Sequence, residues 1–179
     1  MRPSQRMSII GIVQDPDPVL RQVAVCFDLP AEAVEAYRVV DQLQTVMRRA
    51  ARINRFTRGF GVAAPQVRLN RAAAVVQSAD GAVLALLNPR VVEQSAESDE
   101  QYEGCWSFFD VRGKVTRPLY LRVEHEELDG TRRVLGVERD VARLVSHEVD
   151  HLHGVLYVDR MSSGHRPVHV SEYLRATHL

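Results

Sequence analysis

Two histidines late in the chain have the spacing of metal ligands on a helix. The segment His-Glu-Val-Asp-His occupies positions 147–151, so His147 and His151 are four residues apart. On an α-helix this spacing places both imidazoles on one face, about one turn apart, where both can reach one ion. Glu148 points about 100° away from them, so it is better placed to exchange a proton with a water than to bind the ion. The motif alone leaves a second interpretation open, namely two surface histidines on an amphipathic helix.

A catalytic metal needs a third protein ligand and an open position. Cys105, in the segment Glu-Gly-Cys-Trp-Ser at 103–107, is a candidate, because a thiolate beside two imidazoles would complete such a site. A lone cysteine is more commonly a small buried hydrophobe, and we interpret Cys26 in that way. A zincin-type protease would take its third metal ligand from a residue downstream of the histidine motif. His153 and His165 lie downstream, but the sequence around each makes it a weaker candidate for that ligand than Cys105.

The composition indicates an ordinary globular protein of one domain. The chain has 179 residues, 45% hydrophobic and 26% charged, with a formal net charge of zero; this composition carries no nucleic-acid signature and does not favour an anionic membrane surface. No stretch approaches the roughly 18 apolar residues of a membrane span, and the apolar run at 8–13 is too short for a signal peptide. With only two cysteines, a reducing compartment is the simpler interpretation, so we expect a cytoplasmic protein.

Hydrophobic periodicity predicts an α+β order of strand, helix, several antiparallel strands and helix. The predicted helices span residues 31–52, 139–152 and 170–176. The first should bury a stripe formed by Val34, Tyr37, Val40, Leu43 and Met47. The predicted strands span residues 8–13, 72–77, 82–87, 91–92, 119–126 and 132–137. The dipeptides Asp80-Gly81 and Asp129-Gly130 indicate hairpins. The Asn-Pro dipeptide at 88–89 should break a strand. Residues 59–66 and 95–100 should form loops.

Three motifs together resemble the peptide deformylase family. Residues 59–66 read Gly-Phe-Gly-Val-Ala-Ala-Pro-Gln, which matches the family pattern Gly-apolar-Gly-apolar-Ala-Ala-x-Gln. The segments at 103–107 and 147–151 supply the other two motifs in the family's order, and the resemblance covers roughly residues 8–161. It implies antiparallel sheets wrapped around a central metal-binding helix. It also implies one catalytic domain over 1–179, whose residues 162–179 form a short tail.

The resemblance implies hydrolysis of the N-formyl group from formyl-methionyl nascent peptides, with release of formate. It also implies that these peptides are met in the cytoplasm, at the ribosome. It implies that Cys105, His147 and His151 bind one divalent ion, usually Fe(II), with zinc, nickel or cobalt as substitutes. Glu148 would act as general base and acid. Gln66 and the backbone N–H of Trp106 would donate hydrogen bonds to the formyl oxygen.

The peptide itself would lie along the first two motifs. We expect the substrate to contact Gly59, Phe60, Gly61, Glu103 and Gly104, and its main chain to pair with the 60–61 segment as an added strand. We also predict an ion pair between Glu103 and Arg117 that supports the ligand loop; two solvated surface charges are the alternative.

Some positions depart from the family pattern. Trp106 stands where leucine is usual, so its ring could narrow the cleft or cover the metal. The run Phe-Phe-Asp at 108–110 replaces an apolar residue followed by proline, and Ser146 stands where glutamine is common. These departures keep open the hypothesis of a metallohydrolase of the same fold with another acyl substrate. A third hypothesis is a non-catalytic binding protein with a vestigial site, against which the intact ligand set and base argue.

Overall fold

The structure is a computed structural model that describes residues 1–54, 56 and 58–177. Its helices are α1 (Pro3–Ile9), α2 (Ala33–Ile53), α3 (Arg139–Leu152) and α4 (Val170–Thr177). Its strands are β1 (Phe60–Ala63), β2 (Ala73–Gln77), β3 (Val83–Gln94), β4 (Ser98–Cys105), β5 (Phe108–Pro118), β6 (Tyr120–Glu126), β7 (Arg132–Glu138) and β8 (Val168–His169). The predicted α+β class is confirmed. No helix in the described ranges combines the length and the apolar character that crossing a membrane requires.

The strands form two antiparallel sheets. One has five strands in the order β1-β2-β3-β6-β7, and the other has three in the order β4-β5-β8. Both predicted hairpins form, β2 with β3 and β6 with β7. Their turns contain Gly81 and Gly130 at φ +91° and +82°, a backbone region that glycine enters without strain. Strand β1 lies at one edge of the larger sheet, so one side of its backbone is not paired with any other strand of the described residues.

Helix α3 has the predicted bounds and occupies the centre of the molecule. It packs against β1, β2, β5 and β7, and ten of its fourteen residues are buried. Val145 and Val149 join the apolar cluster beneath the larger sheet. A helix buried on several faces is held by its surroundings rather than by its own propensity, which gives the polar side chains it carries fixed positions.

Helix α2 forms where it was predicted, but part of its predicted buried face is wrong. Leu43 and Met47 are buried as expected, whereas Val34 and Tyr37 are 66% and 62% exposed. The buried stripe instead contains the alanines at 36 and 50 together with valines at 39 and 46. Two overlapping stripes satisfy the helical period, and the small alanines favour the one that packs closely on the sheet.

The predicted strand at 8–13 is wrong, because the N-terminal segment begins as a helix. Pro3 stands in the first turn of α1, where its missing N–H costs nothing, and Gly11 at φ +99° follows the end of the helix. Met7 and Ile12 are both buried. A short apolar run does not distinguish a helix from a strand by periodicity.

The loop predictions need correction at three places. Residues 60–63 of the predicted 59–66 loop form β1, and the next four form a 3₁₀ turn. The predicted loop at 95–100 ends early, because β4 begins at Ser98. The predicted break at 88–89 is a bulge within β3: Asn88 has φ +49°, and its side chain hydrogen-bonds the backbone of Phe27 in both directions.

The tail follows the prediction over the part that the structure describes. The helix predicted at 170–176 is α4, which packs on β5, and two residues ahead of it pair with β5 as β8. Residues 178–179 of the predicted tail lie outside the described residues.

Candidate metal centre

Cys105, His147 and His151 meet in the interior, where each is buried. Their ligand atoms all lie within 4.8 Å of one another, and Cys105 Sγ is 3.1 Å from His151 Nε2. A tetrahedral ion with normal zinc–sulfur and zinc–nitrogen bonds separates two ligand atoms by about 3.5 Å. The thiolate also accepts a hydrogen bond from the backbone N–H of Ser107 at 3.4 Å. Donor types and separations therefore fit a divalent transition metal.

The two histidines are oriented for the ion by different means. His147 Nδ1 lies 3.0 Å from the Glu103 carboxylate, which leaves Nε2 as the ligand atom. Burial opposes a charged ring at this position, but hydrogen bonds with Cys105 and Glu103 outweigh it and raise the pKa of His147. Burial lowers the pKa of His151, which favours the neutral imidazole that a metal needs.

Glu103 is the centre of a buried network of charges. Arg117 donates to both of its carboxylate oxygens, at 3.0 and 3.1 Å, so the predicted Glu103–Arg117 ion pair is confirmed. Arg143 adds a third donor at 2.7 Å. Burial alone would raise the pKa of Glu103, but the hydrogen bonds from His147 and Arg117 lower it well below its ordinary value. Arg117 also donates to Asp150 at 2.6 Å, so one guanidinium joins the ligand strand to the ligand helix.

The Glu148 carboxylate shares the cleft with the predicted ligands Cys105 and His147 and packs directly against the backbone of Gly61. A Cβ placed on Gly61 would come within 2.6 Å of Glu148 Oε1, so β1 can pass this close only because position 61 is glycine. Glu148 Oε2 is buried without a hydrogen-bond partner among the described residues. Burial raises the pKa of this carboxyl to about 7. An acid that titrates near neutrality can both accept and release a proton.

Gln66 is fixed with its amide nitrogen facing the thiolate. Its side-chain oxygen accepts from the backbone N–H of Ala63 at 2.9 Å, so its nitrogen is the end that faces Cys105 at 3.5 Å and Ser107 Oγ at 3.1 Å. Trp106 occupies the tight turn between β4 and β5, next to the thiolate, where Gln14 holds its carbonyl at 3.0 Å. The predicted donors thus lie beside the predicted ligands.

Comparison with known proteins agrees with this geometry. The polypeptide deformylase family model matches residues 9–167. The chain belongs to this family. It is 31% identical over 157 residues to a peptide deformylase of Desulforudis audaxviator, covering 88% of this chain and 96% of the relative. It is 31% identical over 176 residues to the one of Rhizobium meliloti, covering 95% of each. A class I type b peptide deformylase from Acinetobacter baumannii superposes with a TM-score of 0.73 at 29% identity, over 84% of this chain and 97% of that one.

The site of this deformylase-family chain opens into a cleft of about 340 Å³, a volume within the usual range for small-molecule sites. The residues predicted to contact substrate all line it: Gly59, Phe60, Gly61, Glu103 and Gly104. The carboxylate of Glu103 is already bonded to two arginines and a histidine, so its side chain faces the protein network.

The departures from the family pattern have different positions relative to the cleft. Trp106 is 6% exposed, and its ring stacks on that of Phe60 with centroids 5.7 Å apart, so it forms a cleft wall. Phe109 also lines the cleft, whereas Phe108 packs edge-on against Tyr157. Asp110 accepts two hydrogen bonds from Ser4 of α1. Of the run at 108–110, the middle residue is the one that reaches the main cleft.

Several supporting residues were missed by sequence reasoning. Arg143 precedes His147 by four positions, so helical spacing alone could have placed it beside that ligand. Asp150 lies inside the histidine motif, yet its role appears only in space, where it accepts from Arg117 and Arg160. Ser107 ends the second motif, but no sequence signal indicates that its hydroxyl accepts a hydrogen bond from Gln66.

Proposed function

We propose that this protein removes the N-formyl group from formyl-methionyl peptides by hydrolysis, giving formate and a free amine. The observation that carries the proposal is the buried Cys105–His147–His151 triad with an unpartnered Glu148 carboxylate beside it, in a chain of the polypeptide deformylase family. The intact ligand set and base do not favour a vestigial binding protein. The similarity to peptide deformylases does not favour another acyl group over formyl.

Cys105 Sγ and the Nε2 atoms of His147 and His151 would hold one divalent ion. When bound, such an ion acts as a Lewis acid and makes water a nucleophile near neutral pH. A soft thiolate with two imidazoles suits either Fe(II) or Zn, and we propose Fe(II) in the cell, with zinc, nickel or cobalt as substitutes.

Glu148 moves the proton that hydrolysis of the amide requires. Its free Oε2 accepts a proton as water attacks the formyl carbon, and then delivers it to the departing amide nitrogen. Because burial raises the pKa of this carboxyl, the protonated form is accessible between the two steps. A positioned acid–base group of this kind contributes about 10²- to 10⁴-fold in rate.

Gln66 stabilises the charge that develops on the formyl oxygen. Its amide nitrogen is directed toward the thiolate by the fixed contact with Ala63, so it needs little reorganisation during the reaction. The backbone N–H of Trp106 is the second proposed donor. The free edge of β1, at Phe60 and Gly61, is where the peptide main chain would pair as an added strand.

The chain would work as one domain over 1–179 with a core at about 8–161. The shared burial of α3 between the two sheets supports this proposal. Nascent peptides would be the partner, and an encounter at the ribosome, in the cytoplasm, stays a prediction that co-sedimentation with translating ribosomes would test.

The direct test is formate release from formyl-Met-Ala by protein loaded with Fe(II) in the absence of oxygen. Glu148→Ala is the matched control, with its metal content measured in parallel. We expect turnover by the parent protein and loss of turnover by orders of magnitude in the variant at equal metal content. Absence of formate from a fully loaded parent, or full activity in the variant, would refute the proposal.

A further inference from the structure

Arg112 of β5 places a guanidinium in the cleft beside the ligand loop. A Cβ built on Gly104 would lie 2.6 Å from its Cζ, so the group rests on the main chain next to Cys105. Its Cζ also lies 5.2 Å from the centroid of the Phe109 ring. Nη1 donates to the carbonyls of Phe109 and Val111 at 3.0 and 2.8 Å. The guanidinium is therefore held in one place by its own strand and turn.

No carboxylate among residues 1–54, 56 and 58–177 forms an ion pair with this group. The two acids nearest to it in sequence have other partners. Asp110 accepts from Ser4, and Glu103 accepts from Arg117 and Arg143. Both hydrogen bonds of Arg112 to backbone carbonyls use Nη1, and Nε and Nη2 form none with the residues that the structure describes, so these two nitrogens can donate to a ligand.

Partial burial makes this guanidinium costly, because the charge loses water and no carboxylate forms an ion pair with it among the described residues. Tyr157, Tyr173, Cys105 and Asp110 interact with it electrostatically and offset part of this cost. Burial also lowers the pKa of Arg112, because the charged form loses its contacts with water. A planar guanidinium that is already held in one position is well suited to bind a carboxylate, which accepts two parallel hydrogen bonds from it.

We propose that Arg112 binds a carboxylate carried by the peptide that enters the cleft. This inference rests on the proposed deformylation and adds a preference among its substrates. The carboxylate has two possible sources with the same chemistry: an aspartate or glutamate side chain soon after the formylated residue, or the free C-terminus of a short peptide.

The test compares formyl peptides that differ only in charge. Asp is placed at the second, third or fourth position of a formyl-Met peptide amide, and Asn at the same position provides the uncharged control of equal size. Formyl-Met-Ala as free acid and as amide reports on the C-terminal source. We expect kcat/KM to favour the charged member of at least one pair by about tenfold, which is about 1.4 kcal/mol at 25 °C.

The preference must depend on Arg112. In Arg112→Met we expect the ratio of kcat/KM between the charged and uncharged peptides to fall to about one. Arg112→Lys keeps the charge but loses the planar pair of donors, so it should retain part of this ratio. Arg122→Met, on the outer face of β6, is the control and should keep the full ratio. If Arg112→Met does not fold, two other measurements test the proposal. Arg112→Lys should show a smaller ratio of kcat/KM between charged and uncharged peptides than the parent, and the parent's ratio should fall with added salt. Equal rates for every pair, or a preference unchanged by substitution of Arg112, would overturn the proposal.

A binding measurement separates this inference from the proposed function. Trp106 is the only tryptophan in the sequence and lines the cleft, so its fluorescence reports occupancy without turnover. Titration with Met-Ala-Asp amide and Met-Ala-Asn amide should show tighter binding of the charged peptide in the parent, and equal binding in Arg112→Met. If no formyl peptide releases formate, the proposed function fails, while this titration still decides whether Arg112 binds a carboxylate.

Discussion

Replacing Arg117 by methionine should weaken both the fold and the metal site. The Arg117 side chain is 6% exposed, and it donates to Glu103 and Asp150, whose side chains are 5% and 10% exposed. Removing one partner from a buried ion pair costs about 3–5 kcal/mol, because the other charge stays buried. Glu103 keeps Arg143, and Asp150 keeps Arg160. We therefore expect the lower end, a loss of about 3 kcal/mol in the free energy of unfolding.

The matched control is Arg122→Met, which removes an arginine from an exposed pair with Glu93. The two side chains there are 49% and 56% exposed, and pairs of this kind contribute at most about 1 kcal/mol. Urea unfolding of both variants, each without metal, gives the comparison. For a chain of this length, 3 kcal/mol also corresponds to a fall in Tm of about 6–12 °C.

Metal affinity provides the second measurement on Arg117→Met. Groups that orient metal ligands typically contribute 10- to 100-fold in affinity, and Arg117 acts on His147 through Glu103. We expect a loss near the lower value, since the contact between Glu103 and His147 remains. If Arg117→Met were no less stable than Arg122→Met and bound metal equally well, the buried network would not support the site.

The other predictions concern the residues around the ion. Glu148→Gln should retain metal while kcat falls by at least about 10²-fold, as measured by formate release. Gly61→Ala should displace the Glu148 carboxylate, because the new Cβ would lie 2.6 Å from it; kcat should fall with metal content unchanged, and an unchanged kcat would contradict the role of this contact. Gln66→Ala should lower kcat by about 10²- to 10³-fold, with little change in KM. Cys105→Ala should lose stoichiometric metal on elemental analysis, while His165→Ala keeps it; the reverse result would favour a protease-type ligand set.

The sequence predicted the parts of the site that depend on local spacing. The bounds of helix α3 were predicted correctly, because its periodic apolar residues and the histidine pair at 147 and 151 indicate a helix over the same segment. Cys105 could be proposed only as a candidate from chemistry, since nothing local separates a ligand from a buried thiol. The family motifs then indicated Gln66, whose position depends on the contact with Ala63 three residues earlier.

The sequence did not predict the parts that depend on contacts between distant segments. Strand β4 was missed because its residues at 98–103 are mostly polar, and its pairing with β5 determines where it lies. The partly wrong buried face of α2 has a similar origin, because packing on the sheet decided between two overlapping stripes of equal period. Arg143 gains its role only when α3 meets β4, and Asp150 gains its role only when α3 meets Arg117 of β5.

The ligands come from two segments that share no local structure. Cys105 ends a strand of the smaller sheet, whereas His147 and His151 lie on the central helix. Glu103, two residues before the thiolate, bonds His147 directly, and Arg117 links Glu103 to Asp150, one residue before His151. These buried charges oppose folding through desolvation, yet Glu103 has partners on the helix, and Asp150 is bonded by Arg117, which also bonds Glu103. The contacts that offset this cost also fix the separation of the sulfur and nitrogen ligands, so the buried ion pairs and the metal site depend on the same packing of strand against helix.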